Sequence, residues 1–265
     1  MYPERIVCLA AEIPEILHRL GALQRVVGIS AYTTRPPEAL DIPKVSGFQH
    51  GSTKRILSNR PDVAILTSGV QKDLASELSA QGVTTIHLNP HRLEDMYNTI
   101  LLIGNVVGAP EKAVAYEAQL RQAVEDVRQK ASKLPFRPKI YFEEWMDPII
   151  VGTGWVSDLI EIAGGQDVFR EKSIRGRYAS DRVVDKRDII SAEPDIVLAS
   201  WCGKPFDRDS FLSRPDFANI PAVKGSFVYE MNSEILQCGP MLIDSLKIIH
   251  HIIEEFVAHS VNETR

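Results

Sequence analysis

Three cysteines in 265 residues, Cys8, Cys202 and Cys238, are too few and too scattered for a disulfide scaffold. Their spacing matches no zinc motif either. No apolar run approaches the roughly 18 residues of a membrane-spanning helix. Basic residues are not in excess: the net charge of −5 and the lack of a dominant basic stripe argue against a nucleic-acid partner. No G-x-S-x-G, P-loop or H-E-x-x-H pattern is present, and Gly152-Thr153-Gly154 lacks the third glycine of a dinucleotide fingerprint, which makes it a turn. Low-complexity segments are absent. No signal peptide precedes the first core strand, Arg5–Ala10. A cytoplasmic location is therefore expected for the chain as written, or a periplasmic one if Met1 replaces a removed leader.

What the chain does have is alternation. Apolar residues at Ala113, Tyr116, Leu120, Val124, Val127, Ala131 and Leu134 recur every three or four positions and predict a helix over Pro110–Leu134. Pro110 suits its first turn, Glu111 and the late Arg128, Lys130 and Lys133 suit its dipole, and Pro135 and Pro138 stop it. Short strands alternate with helices on both sides, which predicts an α/β class with mainly parallel sheets. Ala31–Ser52, rich in Pro, Gly and Thr, reads as a loop, and Val261–Arg265 as a frayed tail.

The two halves echo one another. Lys54–Leu66 resembles Arg187–Leu198, each a short helix, a Pro-Asp break and a buried strand. Glu12–Gly21 resembles Trp155–Gly164, each a helix ended by glycine, and Gly82–Leu88 matches Gly225–Met231. The reading is two similar lobes, residues 1–109 and 136–265, joined by one long helix over 110–135.

Ligands of open parallel sheets bind beyond the carboxyl ends of the strands. That rule selects Ala11-Glu12, Ala31-Tyr32, Gly47-Phe48-Gln49, Ser68-Gly69, Glu144-Trp145-Met146, Trp201-Cys202-Gly203 and Met231–Glu234. Aromatic, amide and small residues dominate, a lining for a large, flat, partly apolar ligand. Rival chemistry is sparse. Glu143-Glu144 could supply a general acid or base, but neighbours on a strand face opposite ways, and a solvated or salt-bridged pair is the simpler reading. His50 is a weak candidate for an axial metal ligand, with His87 and His91 behind it, while His250 and His251 point in different directions. The basic run Arg170–Arg187 could meet an anionic ligand, although its interspersed acids favour a solvated loop.

Several stretches carry a family resemblance: SAYTTRPPEA, IPKVSGFQHGSTKRILSNRPDVAIL and LIEIAGGQDVF, together with YFEEW (Tyr141–Trp145), SWCGK (Ser200–Lys204) and ILQCGP (Ile235–Pro240). From Arg5 to Phe256 the chain resembles the substrate-binding proteins of cobalamin, haem and ferric-siderophore importers, in particular a cobalamin-binding-like branch that lacks an export signal. The resemblance implies that the two lobes are Rossmann-like and the helix bridging them rigid. It also implies reversible capture of a cobalamin-type corrinoid between two lobes, with no intrinsic cofactor, no catalysis and a monomeric state. Haem or a ferric siderophore is the alternative ligand, and a cytosolic corrinoid-handling enzyme or sensor the alternative role. By position it implies ligand contacts from Tyr32, Phe48, Gln49, Ser68 and Gly69 in the first lobe. From the second it implies Trp145, Trp155, Trp201, Met231, Asn232, Ser233 and Glu234. Trp201 leads these candidates, although a lid over the core is its competing role. The resemblance also implies an ABC permease partner, but Lys54 and Arg187 stand where acidic docking residues are expected. Such a reversal would repel a basic docking site.

Overall fold

A computed structural model describes residues 2–47 and 51–263, which divide into two compact units. The first is Met1–Pro90, Glu94–Leu120 and Cys238–Pro240; the second is His91–Leu93, Arg121–Gln237 and Met241–Arg265.

In the first unit β1 (Ile6–Cys8), α1 (Ile13–Leu20), β2 (Val26–Ser30), β3 (Lys44–Ser46), α2 (Thr53–Ser58), β4 (Val63–Thr67), α3 (Lys72–Ala80) and β5 (Thr84–Leu88) follow in order. The strands form one parallel sheet, β3-β2-β1-β4-β5. Its central strands β1 and β4 are buried along their whole length, as strands covered on both faces must be. Val7, Leu9, Ala64 and Leu66 meet Val45, Ile56, Leu74 and Leu78 in one apolar cluster. β3 lies inside the stretch expected to be a loop. With three residues, the first exposed, it offers too little apolar pattern to be read from sequence.

Then come α4 (Leu93–Val107) and α5 (Pro110–Ala131), the latter 22 residues and about 33 Å long. Division between the units falls inside α5, after Leu120. The expected last turn through Leu134 closes instead by tighter bonds, Lys133 N–H to Lys130 O and Leu134 N–H to Ala131 O.

The second unit continues with β6 (Lys139–Met146), β7 (Ile149–Val151), α6 (Gly154–Ala163), β8 (Gln166–Asp167), α7 (Arg170–Arg175), α8 (Lys186–Ala192) and β9 (Ile196–Ala199). α9 (Arg208–Leu212), α10 (Pro221–Lys224), β10 (Val228–Glu230) and α11 (Leu242–Glu263) complete it. The sheet order is β10-β9-β6-β7, with β8 beside β6 and β7 antiparallel. Two expectations are corrected here. The basic run contains a helix, α7, and the tail is helical as far as Glu263 because α11 keeps its apolar stripe through Ile253 and Val257.

The internal echo is structural. α2–β4 beside β1 matches α8–β9 beside β6, and β5 matches β10. In each copy the residue before the Pro-Asp pair, Arg60 or Glu193, has positive φ. In each copy the aspartate then caps the neighbouring strand. Asp62 accepts from the Glu4 and Arg5 N–H groups at 2.8 and 2.9 Å, and Asp195 from the Lys139 N–H at 2.7 Å. α1 and α6 also close alike, through Gly21 to His18 with Ala22 to Leu17, and Gly164 to Glu161 with Gly165 to Ile160. Asp62→Ala and Asp195→Ala should each lower stability by about 1–2 kcal/mol, read as a lower urea midpoint at unchanged slope.

Candidate functional site

At the carboxyl edge of the first sheet the strand order reverses between β1 and β4, the place where open α/β sheets leave a crevice. Gln71, fully buried, ties the two strand ends together. Its Oε1 accepts from the Thr67 N–H at 2.9 Å and its Nε2 donates to the Leu9 carbonyl at 3.3 Å. A ring nitrogen of His87, Nε2, lies 2.7 Å from the Ser68 carbonyl oxygen. Ser68 itself holds φ 57°, ψ 161°, a strained conformation for a side-chain-bearing residue. Its Oγ is buried with no hydrogen-bond partner among the described residues, as are Thr33 Oγ1 and Ser46 Oγ. A cavity of about 490 Å³ opens beside Gly69, lined also by Gly51, Val70, Lys72, Leu74 and Glu77. Tyr32 is exposed on the same edge, after β2. Phe48, Gln49 and His50 lie outside the described residues.

Glu12 follows β1 and is only 3% exposed. Burial pushes its carboxyl up to about 7, although its own backbone N–H pulls the other way. The strand-end rule picks out Ala11-Glu12 in the sequence, but its burial is visible only in the structure.

At the edge of the second sheet, β6 delivers Glu143 and Glu144 to opposite sides. Glu143 is fully buried and fully bonded. Arg214 Nη1 and Nη2 donate at 2.6 and 2.8 Å, Trp201 Nε1 at 2.9 Å and the Tyr141 hydroxyl at 2.7 Å. Burial and then the Glu143 charge hold the Tyr141 phenol well above its ordinary value. Glu144 receives Arg182 Nη1 and Nη2 at 2.5 and 3.1 Å, and Arg182 also donates to the Val151 carbonyl. Both carboxylates are held by guanidinium forks, the salt-bridged alternative to acid–base chemistry. The arginines that hold them lie 71 and 38 residues away, beyond the reach of any local pattern.

The predicted ligand residues separate by burial. Trp201 is 2% exposed and belongs to the core cluster with Phe206, Phe211 and Phe217. Its position is the lid over the core. Trp145 is half-buried, its Nε1 donating to the Asp147 carbonyl at 2.9 Å. Trp155, also half-buried, donates to the Ile235 carbonyl at 2.9 Å. Met231 and Glu234 are buried, whereas Asn232 and Ser233 are exposed, with Asn232 Oδ1 accepting from the Glu234 N–H at 3.0 Å. Lys204, absent from the predicted set although inside the SWCGK stretch, joins two of these tryptophans. Its Nζ lies 4.7 Å from the Trp201 ring centroid and 5.6 Å from that of Trp145.

The other candidates have structural partners. His91 Nε2 lies 2.6 Å from the Ile174 carbonyl oxygen and His250 Nδ1 lies 2.9 Å from that of Ala163. Among the described residues no group of three His, Cys, Asp or Glu side chains is placed to hold a metal. Lys54 and Arg187 are both exposed, Arg187 beside Asp185 at 3.2 Å.

The model of one family, periplasmic binding protein, matches residues 6–235. The chain belongs to that family. An uncharacterised ABC transporter substrate-binding lipoprotein, YvrC of Bacillus subtilis, is 24% identical over 92% of this chain and 78% of its own. A vitamin B12-binding protein of Vibrio cholerae is 25% identical over 92% and 87%. Among solved structures, the periplasmic heme-binding protein RhuT of Roseiflexus sp. RS-1 superposes with TM-score 0.82, 24% identity and 96% and 99% coverage. The periplasmic vitamin B12 binding protein BtuF of Vibrio cholerae does so with 0.75, 20%, 96% and 98%. These likenesses establish the two-sheet α/β fold, and the family is one of substrate-binding proteins. No helix among the described residues is long and apolar enough to cross a membrane.

Glu12 gives a pH test. Its carboxyl titrates near 4.5 when unfolded and near 7 in the fold, so between these values the native state keeps a proton that the unfolded chain has lost. Stability therefore falls as pH rises through that window, by about 3 kcal/mol in all. Glu12→Gln should raise the melting temperature at pH 8 and leave it nearly unchanged at pH 4; equal effects at both would contradict the assignment. A second test concerns Glu143, where Arg214→Met should cost about 3–5 kcal/mol by stranding a buried carboxylate, measured by chemical denaturation.

Proposed function

We propose that this protein captures a cobalamin-type corrinoid reversibly and leaves it chemically unchanged, as the ligand-binding member of a transport or carrier system. The observation that carries this reading is the aromatic platform at the carboxyl edge of the second sheet, where Lys204 lies against the rings of Trp145 and Trp201. A flat macrocycle can pack on the accessible indole of Trp145, and exposed amide and hydroxyl groups such as Asn232 and Ser233 answer its propionamides. Several sequence relatives carry the name vitamin B12-binding protein, which supports a corrinoid over haem; the haem-binding structures, below 25% identity, speak for the fold alone. Tyr32, Ser68 and Gly69 at the edge of the first sheet, with Trp155 in the second unit, remain part of the proposed contact set, as do Phe48 and Gln49.

A permease is the natural partner of such a protein. Lys54 and Arg187 would repel a permease that docks through arginines, so the docking charge of any partner is expected to be acidic at these points.

Trp201→Ala is a poor probe of binding, because emptying a core position of this size destabilises by about 3–5 kcal/mol. Trp145→Ala is the better one. Titration with cyanocobalamin, followed by absorbance and calorimetry, should give saturable one-to-one binding that Trp145→Ala weakens about tenfold. Saturable binding of haem with none of cyanocobalamin would replace the corrinoid reading.

A further inference from the structure

Several arginines around the second sheet are committed to carboxylates. Arg214 is held by Glu143, Arg182 by Glu144, Arg92 and Arg170 by Asp158, and Arg137 by Glu161. Lys204 differs. No carboxylate lies within ion-pair distance of it among the described residues, and its ammonium lies against two indole rings.

Its position is built locally. Trp201 to Lys204 form a turn in which the Lys204 N–H donates to the Trp201 carbonyl at 3.4 Å. Gly203 takes φ 82° there, the left-handed conformation that a turn of this kind requires at its third residue. The turn folds Lys204 back over the ring of the residue that begins it. Two further bonds tie the segment to β6, from Ser200 N–H to the Glu143 carbonyl and from Cys202 N–H to the Glu144 carbonyl. Beneath it the indole of Trp201 is locked by its bond to Glu143, and Glu143 by Arg214, whose guanidinium lies over Phe211 and Phe217. The ammonium is thus exposed at its tip and backed by aromatic faces on a rigid base.

An ammonium over indole faces gains about 0.5–1 kcal/mol at an exposed site, while its N–H donors stay available. Cys202 beside it offers no negative charge, since burial and then Glu144 push its thiol above the ordinary range. We propose that Lys204 is the specificity-determining residue of the binding site and selects a ligand bearing an anionic oxygen, carboxylate or phosphodiester, beside an extended apolar face. This rests on the corrinoid-capture reading and narrows it. Cobalamin carries such a group in the phosphodiester of its nucleotide loop, and haem carries one in its propionates.

The test pairs each charged ligand with a relative that lacks the charge: cyanocobalamin with dicyanocobinamide, which has no nucleotide phosphodiester, and haem with its dimethyl ester. Wild type, Lys204→Met and Lys204→Arg are titrated against all four, with melting temperatures confirming that the exposed substitutions leave the fold intact. Lys204→Met should weaken one charged ligand about tenfold and its uncharged relative less than twofold, and Lys204→Arg should restore most of the loss. A loss confined to cyanocobalamin identifies the phosphodiester as the group recognised, and one confined to haem identifies the carboxylate. Unchanged affinities in Lys204→Met, or equal weakening of both members of a pair, overturn the proposal while leaving ligand capture standing. Failure of the wild type to bind any of the four overturns both.

Discussion

Glu143 holds the carboxyl edge of the second unit's sheet in place. A carboxylate removed from water at the end of β6 requires full compensation, and four donors from three side chains supply it: the two Arg214 nitrogens, the Trp201 indole and the Tyr141 hydroxyl. Each donor is fixed by the bond it makes. Arg214 then lies over Phe211 and Phe217, Phe206 stacks edge-on against Trp201, and the turn that carries Lys204 rests on the result. The aromatic core and the charged hub are one assembly, since either alone would leave an unpaired charge or a loose ring.

The neighbouring acidic pair on β6 is likewise taken up in ion pairs. Glu143 and Glu144 are adjacent and near the expected crevice, yet each meets an arginine fork. Groups held this way fix geometry. The first unit follows a milder version of the theme, in which Gln71 bridges the ends of β1 and β4 and His87 contacts the strained Ser68 turn. Rigid edges with exposed aromatic, amide and hydroxyl groups suit a family of binding proteins.

Repetition explains why the fold was legible. A Pro-Asp break followed by a buried strand occurs twice, and both times the aspartate closes the head of the adjoining strand. Such caps are local chemistry, so a short sequence match carries the structural meaning with it. β3 and β7 are illegible in the sequence because three-residue strands show too little period, and α7 because its charged residues mask the one turn that Ser173 buries.

Local pattern was therefore enough for the α/β class, the alternation of elements and the long helix from Pro110, because propensity and periodicity act over a few residues. Tertiary structure alone decided which of the named residues are accessible. Trp145 and Trp201 look equivalent in sequence, each following a buried strand segment, yet one is half-buried and the other is sealed into the core. The partners that made the difference, Arg214 for Glu143 and Arg182 for Glu144, come from distant segments. Charge pairing of that kind depends on which chain segments the fold brings together, and no spacing along the chain records it.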